Sequence, residues 1–241
     1  MHLGRECDRI PPLPTDRLIP SVARRLSAWA DVQDRLRERP PREPRPTLTI
    51  ARQFGCEGYP LAEWLKETLD ARTGAAWTIF DKALIEQVSR ETHLSEQLFA
   101  NLGDESRVLD ALASTIPGWR THAERFELLA RQIVRIARTG NAIIVGRGAA
   151  VLTQALPNCF HFRLEATYEH RVASIQERLG LDRQAADALV RENEQRRERF
   201  LDEMLHCSIA NTRYYHAVYD TTRSPIERVG ASICALLPFL G

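Results

Sequence analysis

Lysine is almost missing from this 241-residue chain: Lys66 and Lys82 are the only two, so arginine supplies the rest of the positive charge. Cysteine is sparse as well. Cys7, Cys56, Cys159, Cys207 and Cys234 are odd in number and lack C-x-x-C spacing, which argues against a disulfide framework and a zinc site and fits a reducing compartment. No apolar run approaches the length of a membrane span, and the start, MHLGRECDRIPPLP, lacks the apolar core of a signal peptide. The expectation is a cytoplasmic protein without membrane contact. An excess of charge of one sign is also missing. Lys+Arg total 33 against 32 for Asp+Glu, a net charge of +1, so no global field recruits nucleic acid, and any anion site must be local.

What is present suits a folded domain: 44% hydrophobic and 27% charged residues, in a chain long enough for one sizeable α/β domain plus an appendage. Residues 1–45 stand apart. They hold Pro11, Pro12, Pro14, Pro20, Pro40, Pro41 and Pro44 with many arginines between. Val22, Leu26, Trp29, Val32 and Leu36 give one amphipathic helix to about residue 37, followed by a stiff proline linker. That helix either docks on the main domain or binds a protein partner.

The chain is organised around TLTIARQFGCEGYPLAEWL, residues 47–65. Residues 47–51 alternate and are β-branched, which reads as a short strand. Gly55 and Gly58 punctuate a loop, and Leu61, Ala62, Leu65 and Leu69 recur at helical spacing. Strand, glycine loop and helix N-terminus together make an anion cradle, because backbone N–H groups and the helix dipole point out of the turn. The Walker A pattern, G-x-x-x-x-G-K-[ST], is not met: Glu57 replaces its last loop glycine, Gly58 its lysine and Tyr59 its hydroxyl residue. On the residues alone the segment is either a phosphate cradle or a tight strand-to-helix turn.

Further strands are expected over 77–80, 141–146, 158–165 and 216–221, alternating with helices. Asp81 sits where it can cap a helix and also at the carboxyl end of a strand, where α/β sheets place ligand-contacting groups. Phe126, Leu129, Ile133, Ile136 and Ala137 form a helical stripe ended by Gly140-Asn141, closing a helical insertion over about 94–140. NAIIVG then runs straight into Arg147-Gly148, where the arginine either holds an anion bidentately or is solvated in a turn. Asp182 caps a strongly charged helix containing ENEQRRERF, a run that usually forms a solvated face. This order predicts an α/β fold: a parallel five-stranded sheet in three layers, helices on both faces, with ligands beyond the carboxyl ends of the strands.

In this order the segments resemble the cytidylate kinase-like family, whose loop commonly reads S-R-x-[FY]-G-S-G-G-R. The resemblance runs through FDKALI, IIVGRGAAVL, Arg171 after FHFRLEA, ENEQRRERF and YHAVYDTTR, in register over about 46–238. It implies a P-loop nucleoside monophosphate kinase fold with a lid at about 181–207, forming a domain from 46 to 241. It also implies ATP with Mg²⁺, nucleotide substrates and a CMP-type acceptor. Carried over residue by residue, Arg52, Gly55, Cys56, Glu57, Gly58 and Tyr59 would hold ATP. Asp81, Lys82 and Arg147 would face the acceptor. Arg147, Arg171, Arg197 and Glu194 would serve the transferring phosphoryl group, with no metal held by protein ligands alone. The chain departs from the family pattern at Cys56, Glu57, Tyr59 and Pro60 in the loop, at Glu194 for the lid aspartate, and at Asp220-Thr221 for Asn-Thr. Those departures motivate an alternative: a catalytically degenerate regulatory protein that binds a nucleotide or another anion.

Overall fold

The computed structural model describes residues 45–81, 83–85, 122–146, 148–208 and 210–240. The expected N-terminal helix, the greater part of the helical insertion before residue 122, Lys82 and Arg147 lie outside the described residues.

Five parallel strands form one sheet: β1 (Thr47–Arg52), β2 (Thr78–Phe80), β3 (Ala142–Val145), β4 (Cys159–Glu165) and β5 (Ala217–Asp220), in the order β2-β3-β1-β4-β5. β1 is central and pairs with β3 (Thr47 opposite Ala142) and with β4 (Thr47 opposite Cys159). Its first four residues are buried on both faces, which is why it reads as β-branched and uncharged. Thr47 satisfies its buried hydroxyl by donating to the carbonyl of Ala137, 3.0 Å away.

The helices are α1 (Gly58–Thr73), α2 (His122–Thr139), α3 (Ala149–Leu152), α4 (Tyr168–Leu179), α5 (Arg183–Leu205) and α6 (Ile226–Leu236). α1 begins earlier than the Leu61 stripe suggests, because Pro60 needs no N–H partner in a first turn and Tyr59 is drawn into the core. It ends at Gly74, whose φ of 65° no side chain adopts as cheaply. On one face of the sheet, Leu48, Ile50, Phe162 and Leu164 pack with Leu61, Leu65 and Leu69 of α1 and Val229 and Ile233 of α6. Each such fully buried leucine contributes about 1.5–3 kcal/mol by leaving water. On the other face, Phe80, Ile144 and Cys159 pack with Ile133, Ile136 and Ala137 of α2 and Ala149 of α3. A third cluster joins α4 to α5 through Val172, Ile175, Ala186 and Val190, with Phe54 of the glycine loop packed against it.

The chain therefore leaves β1 toward one face, through α1, and leaves the adjacent β3 toward the other, through α3. Neighbouring strands whose connections part in this way open a crevice at their carboxyl ends. The α/β, three-layer expectation is met, with helices on both faces of a five-stranded parallel sheet.

Candidate active site

The crevice is built around the loop that follows β1. Gln53 carries the ladder one residue further by donating to the carbonyl of Leu164 (3.1 Å). The chain then tightens: the Cys56 amide donates to Gln53 (3.3 Å) and the Gly58 amide to Cys56 (2.9 Å), with Gly55 at φ 96°. The amides of Phe54, Gly55 and Glu57 donate to no acceptor among the described residues. Glu57 occupies the N-cap of α1 without a side-chain cap bond, and no acidic residue sits in the helix's first turn. The loop thus offers amides and a helix dipole, as an anion cradle does.

Its carbonyls are taken up by guanidinium groups from distant helices. Arg197 of α5 donates Nη1 to the carbonyl of Arg52 at 2.6 Å, and its Cζ lies 6.0 Å from the centre of the Phe54 ring. Arg171 of α4, buried, donates Nη1 to the carbonyl of Phe54 at 3.3 Å and to Oε2 of Glu194 at 2.8 Å. Arg52 runs its own side chain along the first residue of α1 toward Gly146 at the end of β3. The buried thiol of Cys56 registers all three. Burial pushes its pKa up, while a hydrogen bond with Thr221 and the charges of Arg171, Arg52 and Arg197 pull it down. Guanidinium groups from three separate segments bear on one point under the loop.

Tyr59 is buried, its ring inside the apolar core, so its side chain faces away from the loop's mouth. Glu57 is partly buried. Asp81 is buried at the end of β2 and caps the turn after it, accepting from the Leu84 amide at 3.0 Å. Lys82 and Arg147 are outside the described residues, but the flanking Gly146 and Gly148 have φ of 84° and 67°, so the backbone turns sharply on either side.

A small cleft opens at the carboxyl ends of β1 and β3, lined by Thr49, Ala51, Gly146, Gly148, Cys207 and Tyr215. Behind Tyr215 stands Arg163, buried, with Nε 2.6 Å from Oε1 of Glu165 and Cζ 5.9 Å from the Tyr215 ring centre. Deeper on the same face, His161 Nδ1 and Thr49 Oγ1 are 2.9 Å apart, and the His161 amide donates to His216 Nδ1 at 2.9 Å. Burial, aided by the neighbouring His216, lowers the His161 pKa to about 4. Sequence reasoning gave no site role to Arg163, Glu165, Tyr215 or Gly146, and named Thr221 only as a departure from the family pattern. Arg163 and Glu165 were readable as partners two apart on one strand face; the others depend on contacts far along the chain. Among the described residues no group of three or more His, Cys, Asp or Glu is gathered as a metal ion would need.

The model of the cytidylate kinase-like family matches residues 47–223, a span that starts with β1 and ends after β5. The chain belongs to the cytidylate kinase-like family. Membership supports a nucleotide kinase-like function for this cytidylate kinase-like protein. Among solved structures, an uncharacterized protein from Eubacterium ventriosum is similar at 17% identity with a TM-score of 0.60, over 79% of this chain and 97% of that one. Shikimate kinase from Bacteroides thetaiotaomicron is similar at 11% identity with a TM-score of 0.45, over 79% of this chain and 97% of that chain. These likenesses concern the fold. None of the curated proteins compared matches the chain significantly. No helix among the described residues is long and apolar enough to cross a membrane.

Proposed function

We propose that this family member is an ATP-dependent nucleoside monophosphate kinase of the cytoplasm that phosphorylates a CMP or dCMP type of acceptor. The observation that carries the reading is the convergence of three arginines on the glycine loop: Arg171 and Arg197 donate to its carbonyls and the Arg52 side chain lies along Gly58. Phosphoryl transfer asks a protein for positioning and charge neutralisation rather than a covalent nucleophile, and amides plus guanidinium groups are suited to both.

The residues fit ATP: three loop amides without acceptors among the described residues, a helix N-terminus and arginine charge, with Glu57 as an unfavourable neighbour. ATP, when bound, supplies the phosphoryl group that moves. Arg171 and Arg197 hold the loop's carbonyls, so its amides face outward, and Glu194 keeps Arg171 in place. Asp81, at the end of β2, binds the acceptor together with Lys82 and Arg147. Mg²⁺ fits a site made by nucleotide oxygens and water, since it keeps several waters and needs few protein carboxylates. The N-terminal amphipathic helix serves cis docking or a protein partner.

A coupled assay with CMP, dCMP, UMP and AMP, run beside calorimetric nucleotide titration, tests the reading. Turnover with a cytidine acceptor is the expected result, and the absence of turnover with all four removes it. A second reading, a degenerate nucleotide or anion binder, is favoured by Glu57 standing where relatives have a loop glycine. Tight binding without turnover selects it, and no binding at all removes both.

A further inference from the structure

The cleft at the carboxyl ends of β1 and β3 opens on the face of the sheet that α2 and α3 cover, whereas the glycine loop leads into α1 on the opposite face. It borders Gly146 and Gly148, on either side of the residue that the kinase reading gives to the acceptor. Its walls are small. Ala51, Gly148, Ala149 and Ala150 leave room in front of Tyr215, the one aromatic side chain among the described residues that line it. Ala51 and Arg163 are register partners in β1 and β4, so Arg163 rises from the sheet beside the cleft. Its Cζ lies 5.9 Å from the centre of the Tyr215 ring, and its guanidinium is hydrogen-bonded to the Tyr215 hydroxyl. Arg163 is buried, with Nε donating to Oε1 of Glu165 at 2.6 Å and Nη1 without an acceptor among the described residues. Packing alone does not account for it, since an apolar side chain would fill the same place on β4 without burying a charge or an idle N–H.

The chemistry on offer follows from the direction of these bonds. A guanidinium donates and cannot accept, so the Tyr215 oxygen accepts from Arg163 and its own proton points to another group. Burial pushes the Tyr215 pKa up against the pull of Arg163, so the hydroxyl stays a donor. Glu165 balances the charge of Arg163, and the cleft therefore meets a directed O–H with no net charge behind it. That suits a carbonyl oxygen on an uncharged ring better than a phosphate.

Resting on the kinase reading, we propose that Tyr215 donates to a ring carbonyl of the acceptor's base and that Arg163 is the residue that positions it. Cytosine and uracil carry such a carbonyl at C2, and adenine carries none, so one hydroxyl separates CMP and UMP from AMP. A site built to hydrogen-bond a substrate group discriminates against the analogue that lacks it, because the protein's own polar group is then left unpaired.

The test is calorimetric titration of the full-length protein with CMP, UMP and AMP, beside steady-state kinetics with MgATP, for the wild type, Tyr215→Phe, Arg163→Met, Arg163→Lys and Tyr215→Phe/Arg163→Met. Circular dichroism checks that each is folded, and Tyr215→Phe, which keeps the ring, decides the outcome should Arg163→Met fail to fold. Expected for Tyr215→Phe is a loss of about tenfold or more in affinity and kcat/KM for CMP and UMP, as for one lost hydrogen bond, with AMP and the KM for ATP changed less than about twofold. Arg163→Met lowers the preference for CMP over AMP in the same direction, and Arg163→Lys recovers part of it. The double variant falls less than about twofold below Tyr215→Phe, since both substitutions act through one hydroxyl. A folded Tyr215→Phe with the wild-type preference for CMP over AMP overturns the inference and leaves the kinase reading standing. Equal losses for CMP and AMP, the mark of a merely structural role, overturn it as well. Full additivity of the two substitutions removes Arg163 from it. A wild type that neither binds nor turns over any of the three nucleotides overturns both the inference and the kinase reading.

Discussion

Nη1 of Arg171 stands 2.8 Å from Oε2 of Glu194 and 3.3 Å from the carbonyl oxygen of Phe54, so one buried guanidinium ties the long helix α5 to the glycine loop. Removing the carboxylate leaves a buried charge without its counter-ion, and Arg171 Nε already has no acceptor among the described residues. Breaking a buried pair from one side is the costly way to break it. Because the Glu194 side chain is 25% exposed, the full penalty is screened. Glu194→Ala should cost about 2 kcal/mol in urea unfolding at neutral pH, and Glu194→Gln roughly half of that, since the amide oxygen still accepts. Equal stability of both variants and the wild type would show that the tie carries no energy.

Gly55 is where α4 presses on the same loop. Its φ is 96°, and a methyl group there would lie 2.7 Å from Arg171 Cβ and 2.9 Å from Arg171 Cα, atoms that cannot rotate away. Gly55→Ala should therefore cost about 3 kcal/mol, of which roughly 1–2 is backbone conformation and the rest a shift of α4. Denaturant unfolding gives the stability, and nucleotide titration of the same variant shows whether the loop still binds. A cost under about 0.5 kcal/mol would mean that loop and helix part freely.

Much of this was legible in the sequence because it is local. The β1–loop–α1 unit, the Asp81 and Asp182 caps and the stripe from Phe126 to Ala137 rest on residues within a turn or two of each other, and propensity and period suffice there. The cap of Asp182 is found as expected, accepting from the Ala185 amide at 2.8 Å. What could not be read was direction. Nothing local says that Tyr59 turns into the core while Arg52 turns across Gly58, or that Gly146 lies at the tip of an arginine 94 positions earlier in the chain. The same limit hid Tyr215 and Arg163, whose contact is made only once β4 and the segment before β5 are side by side. The charged run ENEQRRERF read as a solvated face. Most of it is exposed, yet Glu194 and Arg197 reach the loop from it.

Arg197 gives the most direct kinetic prediction of the kinase reading. Its guanidinium holds the Arg52 carbonyl at 2.6 Å and stacks toward Phe54, so it is already placed before any ligand arrives. A preorganised charge at the transferring group stabilises the transition state by about 2–4 kcal/mol. Arg197→Ala should lower kcat by roughly 30- to 900-fold with a smaller change in KM. Arg197→Lys should recover only part, because an ammonium cannot reach a carbonyl and a phosphoryl oxygen in one plane. A change confined to KM would move Arg197 from the reaction to ground-state binding.

His161 makes stability depend on pH in a defined window. Its ring is buried, shares a hydrogen bond with Thr49 Oγ1 and lies 5.4 Å from the His216 ring; burial first, then His216, holds its pKa at about 4 instead of 6.5. The folded state thus keeps His161 neutral where the unfolded chain protonates it. Between pH 6.5 and 4 the unfolded state binds more protons, so its contribution to stability is complete above pH 6.5 and is lost as the pH falls toward 4. The slope approaches about 1.4 kcal/mol per pH unit, and the loss over the window is on the order of 3 kcal/mol. Asp and Glu residues titrate in the same range, so the useful quantity is a difference. Urea unfolding of the wild type and His161→Gln from pH 4 to 8 should show the variant less stable at pH 7, where the wild type has its full share. The gap should close or reverse toward pH 4, because glutamine takes up no proton. Parallel curves at every pH would mean that His161 takes up its proton in the fold as readily as in the unfolded chain, so that its burial carries no cost.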